Sequence, residues 1–443
     1  MKNYKIIYLP IEMKLREFES KVLLAGQLIN NGFTVVIGQQ WEMYNQINNF
    51  PPGLFLFKSH NKIHHPAMLA AKNYGHIVFA LEEENIALGD EKSLFKNSPK
   101  DLYSCVDYVL TTGDFEKEFH NKNSLNKVKV FTTGNPRIDL LKNSFLNIFN
   151  EKIKAIKKEH GDYILINTNF THSHALMGKD PNINKNIAIR AGFIDLEDPQ
   201  SIKDYDDYVE WESECLSSTI KLIKNLASKF KNLKFIIRPH PAEVLELTSQ
   251  YYNGFDNIEV IREGNHIPWT LGSKLLIHTS CTTGLEAEIA GKKAISLIPY
   301  ENWYSDQILS NKVNKVFFSV DSICEYASDF IEHFNIDAMK EDKKLFNLKY
   351  FIDNARENLA IEKISNLFDG FEYKKEGVRF NIAHPLDRAE FQVAKCTITK
   401  FELEKSMNLI FELFNQDSVK VNNFFIQEIC DSLFLVSPPL KAG

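Results

Sequence analysis

Apolar runs of four to seven residues recur along the whole chain, and between them the apolar positions fall three or four apart. KIIYLPI (5–11), FTVVIG (33–38), LFLFKS (54–59), HIVFALE (76–82), CVDYVLTTG (105–113) and KVFTTGNP (129–136) read as strands. LREFESKVLLAGQLIN (15–30) carries apolar positions at helical spacing and stops at Asn31-Gly32, and HPAMLAAKNYG (65–75) is a shorter helix ending at Gly75. Strands alternating with helices of this length predict βαβ units and a parallel sheet. The pattern pauses in the Lys-rich helical stretch 143–161 and resumes with YILINTNF (163–170). A helix over 205–230 follows, then KFIIRP (234–239), IEVIR (258–262), KLLIHTS (274–280), KAISLIP (293–299) and KVFFSV (315–320). The expectation is α/β throughout. The pattern predicts one α/β domain over 1–150, a second over 160–380, and over 381–443 a helical segment (403–414 above all) that completes or is appended to the lobes. In such sheets ligands sit beyond the C-terminal strand ends, and the unusual residues cluster there.

Composition narrows the class. With 443 residues, 44% hydrophobic and a formal charge of −6, the chain is long enough for two or three real cores. The mild acidity argues against a nucleic-acid surface. The six cysteines are scattered, with no CxxC pair, so no disulfide framework or zinc knuckle is indicated. The N-terminal MKNYKIIYLPIEMK reads as a strand rather than a signal peptide, and no run reaches the ~18 apolar residues that cross a membrane. A reducing, cytoplasmic setting is expected. Peripheral association with the inner membrane through the lysines of 153–158 stays open beside a plain solvated helix.

Four constellations carry candidate chemistry. In Arg238-Pro239-His240-Pro241 the prolines bias the preceding residues toward extended backbone and hold a guanidinium fork and an imidazole at fixed spacing past a strand. Glu243 follows. The competing reading is a rigid loop with a structural histidine. His278-Thr279-Ser280-Cys281-Thr282-Thr283-Gly284 lies between a strand and a helix, where hydroxyls and backbone N–H groups can meet an anion. Ordinary capping by Ser280 or Thr282, with Glu286 completing a box, explains the same residues, and Cys281 reads as a small buried residue. Glu82, Glu83 and Glu84 close a strand, and crowded carboxylates are the raw material of a general acid or base; a solvated acidic loop is the plain alternative. Asn167-Thr168-Asn169, with His172 and His174 behind, and Asn135 with Arg137 in the TGNPR turn could grip sugar hydroxyls. No third ligand accompanies the two histidines, so neither a metal nor any other cofactor is expected.

DYVLTTGD, VFTTGNPRIDLL, LINTNF, FIIRPHPAE and HTSCTTGLEAEIAGKKAISLIP together resemble bacterial surface-carbohydrate glycosyltransferases. More narrowly they resemble the CMP-Kdo-dependent β-Kdo transferases and related transferases of nonulosonic acids such as pseudaminic and sialic acid. The resemblance implies a GT-B-like fold of two Rossmann-like lobes with an interlobe cleft, and a role in capsular polysaccharide or lipopolysaccharide biosynthesis. It implies transfer of a 2-keto-3-deoxy sugar acid from a CMP-activated donor to an oligosaccharide or lipid-linked glycan acceptor. Carried over, His240 with Pro241 would contact the CMP phosphate, beside Arg238, Glu243, His278 and Gly284. Ser280, Thr282 and Thr283 would be the hydroxyl-rich donor loop. The acidic motif would fall on Glu83-Glu84-Asn85, with Asn in place of glycine and a register shifted to Glu82 as the alternative. Its carboxylate would deprotonate the acceptor while His240 assists departure of CMP. Asn167, Asn169, His172, Asn135 and Arg137 would hold the sugar or acceptor. Two rivals accompany this reading: a UDP-sugar epimerase of GT-B shape and a non-catalytic polysaccharide assembly protein.

Overall fold

The computed structural model describes residues 3–439 apart from 84–85, 87, 125–126, 174–180, 191–193, 334–346, 375–379 and 415–423. The chain divides into two compact units. The first takes Met1–Ile86, Asn97–Ile148 and Leu348–Gly443; the second takes Ala87–Lys96 and Phe149–Asn347.

In the first unit, strands β1 (Ile6–Ile11), β2 (Thr34–Gln39), β3 (Leu54–Phe57), β4 (Ile77–Leu81), β5 (Tyr108–Thr111) and β6 (Lys129–Thr132) form a parallel sheet in the order 2-1-3-4-5-6. Every residue of β1 and β3 is buried. A parallel sheet covered on both faces needs such unbroken apolar runs, and each buried Leu or Phe contributes roughly 1.5–3 kcal/mol. Helix α1 (Lys14–Asn30) buries Phe18, Val22, Leu23, Leu24, Leu28 and Ile29. Helix α2 (Asp114–Ser124) follows β5.

The second unit holds β7 (Tyr163–Asn167), β8 (Lys234–Arg238), β9 (Ile258–Val260), β10 (Leu275–His278), β11 (Ala294–Leu297) and β12 (Lys315–Phe317), all parallel. Their order is 9-8-7-10-11-12, which is the 3-2-1-4-5-6 order of dinucleotide-binding sheets. Helix α3 (Pro199–Lys229), capped by the Asp198 side chain, begins six residues earlier than the pattern predicts and packs Leu222, Ile223 and Leu226 into the core. Helix α4 (Thr282–Ile289) follows β10.

The last segment departs from the expected boundaries. Residues 348–443 return to the first unit, whereas the pattern placed everything up to 380 in the second. Asn354 explains part of the return: its amide donates to the Asn135 carbonyl (2.9 Å) and to Asp139 Oδ1 (2.6 Å), and its Oδ1 accepts the Asn135 N–H (3.0 Å). Asp139 also accepts the N–H groups of Ala360 and Ile361. The end of the chain is not helical alone. After helix α5 (Lys400–Phe414), β13 (Phe425–Cys430) and β14 (Leu433–Ser437) form a hairpin that pairs antiparallel with the free edge of β2. Helix α5 lies so close to α1 that a Cβ on Gly26 would stand 2.7 Å from Ile410.

Candidate functional site

The two central strands of the second sheet, β7 and β10, are where its strand order reverses, and ligands of open α/β sheets bind at that point. Asn167 ends β7, in register with His278 on one side and Arg238 on the other. Its side chain is 4% exposed, and among the described residues neither Oδ1 nor Nδ2 finds a hydrogen-bond partner. A buried amide left unpaired costs about 1–3 kcal/mol, so this one marks a place where a ligand's polar groups would be at home. Asn169, two residues on, is half-buried.

The neighbouring loop is built around Glu243, which is fully buried. Its carboxylate accepts from Thr168 Oγ1 (2.8 and 3.0 Å), the Phe170 N–H (3.1 Å) and the His240 N–H (2.9 Å). Burial pushes its pKa up to about 7, partly offset by those hydrogen bonds. Glu243 therefore ties the loop after β7 to the loop after β8. It positions His240 rather than meeting a phosphate. His240 Nδ1 accepts the Ala242 N–H (3.1 Å), which puts the ring proton on Nε2. His240 and Pro241 are half-buried. Arg238 is also drawn inward: its guanidinium donates to the carbonyls of Glu263 (2.8 Å) and Gly264 (2.7 Å) and stacks over Trp269 at 4.9 Å. Burial lowers its pKa to about 10. The fork expected to hold an anion is occupied by backbone.

Beyond β10 the chain turns sharply into α4. Ser280 takes φ +47, in the left-handed region that a side chain resists. Its N–H reaches Ser296 Oγ (3.4 Å) and its Oγ accepts from Asn311 Nδ2 (2.8 Å). Cys281 is the N-cap residue, with an extended backbone and no side-chain cap bond, so the capping by Ser280 or Thr282 is not formed. Glu286, expected to complete the box, instead pairs with His266 at 2.6 Å. Helix α4 thus presents the N-terminus of its backbone without a side-chain cap, the geometry that receives phosphate. Thr282 and Thr283 are half-buried in its first turn, and Thr283 Oγ1 donates to Cys281 Sγ (3.2 Å). His278 is a wall rather than a contact. Its Nδ1 accepts the Cys281 N–H (3.3 Å), its Nε2 donates to Asn314 Oδ1 (2.8 Å), and burial holds its pKa near about 4. Gly284 is required by that wall, since a Cβ there would lie 2.1 Å from His278 Nε2.

His172 is likewise engaged: its N–H donates to Glu212 (3.0 Å), its Nδ1 lies 3.0 Å from Tyr205 Oη, and burial lowers its pKa to about 4. His174 lies outside the described residues. Asn135 and Arg137 belong to the first unit, where Asn135 Oδ1 accepts the Arg137 N–H (3.0 Å) and caps the short helix Pro136–Asp139.

The first unit reverses its strand order between β1 and β3. The strand ends there hold a buried ion-pair network that the sequence reading missed. Lys58, directly after β3, meets Glu12 Oε2 at 2.7 Å and Glu17 Oε1 at 3.1 Å. Lys21 on α1 pairs with Glu83, and both are buried. Burial works against ionised Glu12, but Lys58 and Lys395 outweigh it and hold its pKa down to about 2. Glu82 accepts from Ser59 Oγ (2.8 Å) and the His60 N–H (2.9 Å). Glu82 and Glu83 are therefore buried and partnered rather than a solvated loop, while Glu84 lies outside the described residues. The readable signals were a lysine directly before the apolar run VLLAG (22–26) and another ending LFLFK.

No family profile and no curated protein matches the chain. Solved structures do. A UDP-GlcNAc 2-epimerase from Neisseria meningitidis bound to UDP-GlcNAc matches with a TM-score of 0.51 at 16% identity, over 82% of this chain and 99% of its own. S. aureus MnaA with UDP matches at 0.51 and 13% identity, over 83% and 95%. The wall teichoic acid polymerase TagF aligns at 0.48 and 12%, over 82% and 87%. At such identities the likeness shows the fold: the chain is GT-B-like, with two Rossmann-like lobes, as expected.

The narrower resemblance is corrected. The structures that carry the likeness are a UDP-GlcNAc 2-epimerase bound to UDP-GlcNAc and MnaA with UDP, not CMP-Kdo or nonulosonic acid transferases. The reading as a CMP-sugar-dependent glycosyltransferase falls with it. So do the CMP-activated sugar acid donor, the glycan acceptor and the capsular or lipopolysaccharide role. The physical reason is visible in RPHPAE, where Arg238 donates to the Glu263 and Gly264 carbonyls and Glu243 ties two loops together, so neither specifies a CMP phosphate. Among the described residues no helix is long and apolar enough to cross a membrane.

Proposed function

We propose that this chain is an enzyme acting on a UDP-activated sugar, and that it inverts a sugar carbon in the manner of a UDP-GlcNAc 2-epimerase. The unpartnered amide of Asn167 at the reversal point of the second sheet carries the reading. The uncapped N-terminus of α4 and the left-handed Ser280 beside it support it, because a diphosphate needs backbone donors and a close approach. The GT-B-like likeness to proteins crystallised with UDP-GlcNAc and UDP supports the nucleotide class by analogy of fold. In this reading Asn167, Ser280, Thr282 and Thr283 line the nucleotide-sugar site, with Asn169 beside them. His240 Nε2–H is the donor to the diphosphate, stabilising charge that develops there. Arg238, Glu243, His278 and Gly284 hold the loops.

The C2–H of UDP-GlcNAc is not adjacent to a carbonyl, so its proton must leave to a base together with UDP from C1. Inversion is completed when UDP re-adds at C1 and an acid returns a proton to the other face of C2. The test is to incubate the protein with UDP-GlcNAc in D2O, without an acceptor, and follow the sugar by proton NMR. The reading predicts a C2 epimer carrying deuterium at C2, formed more slowly by Asn167→Ala. Unchanged UDP-GlcNAc, or deuterium-free product, would overturn it.

A further inference from the structure

Behind the Glu82 strand end lies a cluster that the reaction above does not use. His60 follows β3, and Glu116 and His120 stand one turn apart on α2. All three are buried, and their ligand atoms lie within 4.8 Å of one another. Glu116 Oε1 is 3.5 Å from His120 Nε2 and 3.9 Å from His60 Nδ1. Ligands at ~2.0–2.2 Å around one tetrahedral ion stand roughly 3.4 Å apart, so the spacing suits an ion between them. Among the described residues, neither Glu116 Oε1 nor His120 Nε2 has a hydrogen-bond partner.

We propose that His60, Glu116 and His120 form a binding site for one divalent first-row transition metal, of which Zn2+ is the simplest candidate. The outward-facing atoms already have the partners that metal ligands use to fix their orientation. His120 Nδ1 lies 3.1 Å from Tyr103 Oη, His60 Nε2 lies 3.4 Å from the Ala80 carbonyl, and Glu116 Oε2 accepts the Thr112 N–H at 2.8 Å. Ser98 Oγ, 2.9 Å from His60 Nδ1, stands where a fourth ligand or a bound water belongs. Two imidazoles and one carboxylate suit Zn2+, Co2+ or Fe2+ over Mg2+ or Ca2+. A bound ion would pin α2 to the loop whose His60 N–H holds Glu82. This site stands apart from the UDP reading and survives its failure.

The test uses full-length protein freed of metal by a chelator and titrated with Co2+, then Zn2+. The expected result is about one Co2+ per chain, with the visible absorption of a low-coordinate ion, displaced by Zn2+. Glu116→Gln and His120→Gln should abolish that spectrum. Tyr103→Phe, which removes only the hydrogen bond to His120, should weaken affinity by about 10–100-fold and leave the circular dichroism unchanged. No Co2+ spectrum in wild type overturns the proposal, and so does one that persists in both ligand variants, which would mark adventitious surface binding. Should the ligand variants fail to fold, wild-type affinity in Tyr103→Phe overturns it on its own.

Discussion

The two sheets each reverse their strand order once, and the polar groups at the two reversal points are treated in opposite ways. In the first unit Lys21 and Lys58 answer Glu83, Glu12 and Glu17 with ion pairs of their own. In the second, Asn167 is buried to the same degree and its amide is answered by nothing described. Topology alone nominates both places as sites. What separates them is the state of their hydrogen bonds: a satisfied network holds its own strand ends together, while among the described residues the Asn167 amide keeps both its polar atoms unspent. The same contrast runs inside the second unit, where Arg238 and Glu243 turn inward and the α4 N-terminus stays uncapped.

Breaking the first network should have the largest effect. Lys21→Met leaves Glu83 buried without its cation and should cost about 3–5 kcal/mol, read as a lowered denaturant midpoint. Adding Glu83→Gln should return most of it, and a double variant no better than the single one would mean the pair is not coupled. Next in size is Gly284→Ala, which drives a Cβ into His278 and should cost about 1–3 kcal/mol, together with loss of UDP binding. Asn167→Ala sharpens the comparison from the other side. It removes a buried amide with no partner among the described residues, a group that costs about 1–3 kcal/mol to leave unpaired, so stability should not fall, while UDP affinity falls about tenfold or more.

The smallest effects are on pH dependence, and their signs differ. Glu12 is held below its ordinary value, at about 2. Its contribution is complete above pH 4.5 and is lost as pH falls toward 2. Glu243 is raised to about 7, so the folded form holds its proton more tightly and stability declines as pH climbs from 4.5 to 7. Glu12→Gln should flatten the first slope and Glu243→Gln the second, in denaturation series across pH. A variant that flattens the other's slope would contradict the assignment.

Much of the fold was legible in the sequence because parallel strands buried on both faces appear as apolar runs, from IIYLPI to AISL. Their order in the sheet was not, since crossovers are decided by tertiary packing. The return of residues 348–443 was hidden because its anchors, Asn354 and Asp139, are polar and far apart in sequence. The hairpin that closes the β2 edge was readable in FIQEIC and LFLVS around Asp431-Ser432, but its strands are short and half exposed. For the site, strand ends and the hydroxyl loop were found by residue type. Which side chains are spent locally was not, because Arg238 looks the same in sequence whether it faces a phosphate or a backbone carbonyl. The lysines of the first network were passed over for the same reason.

The most direct test of the account is a calorimetric titration of UDP into the wild-type protein and Asn167→Ala, with thermal melting of both. The account predicts about one UDP per chain in wild type and an affinity at least roughly tenfold weaker in the variant, with the melting transition not lowered. Equal affinity in the two proteins, or preference for CMP over UDP, would contradict it.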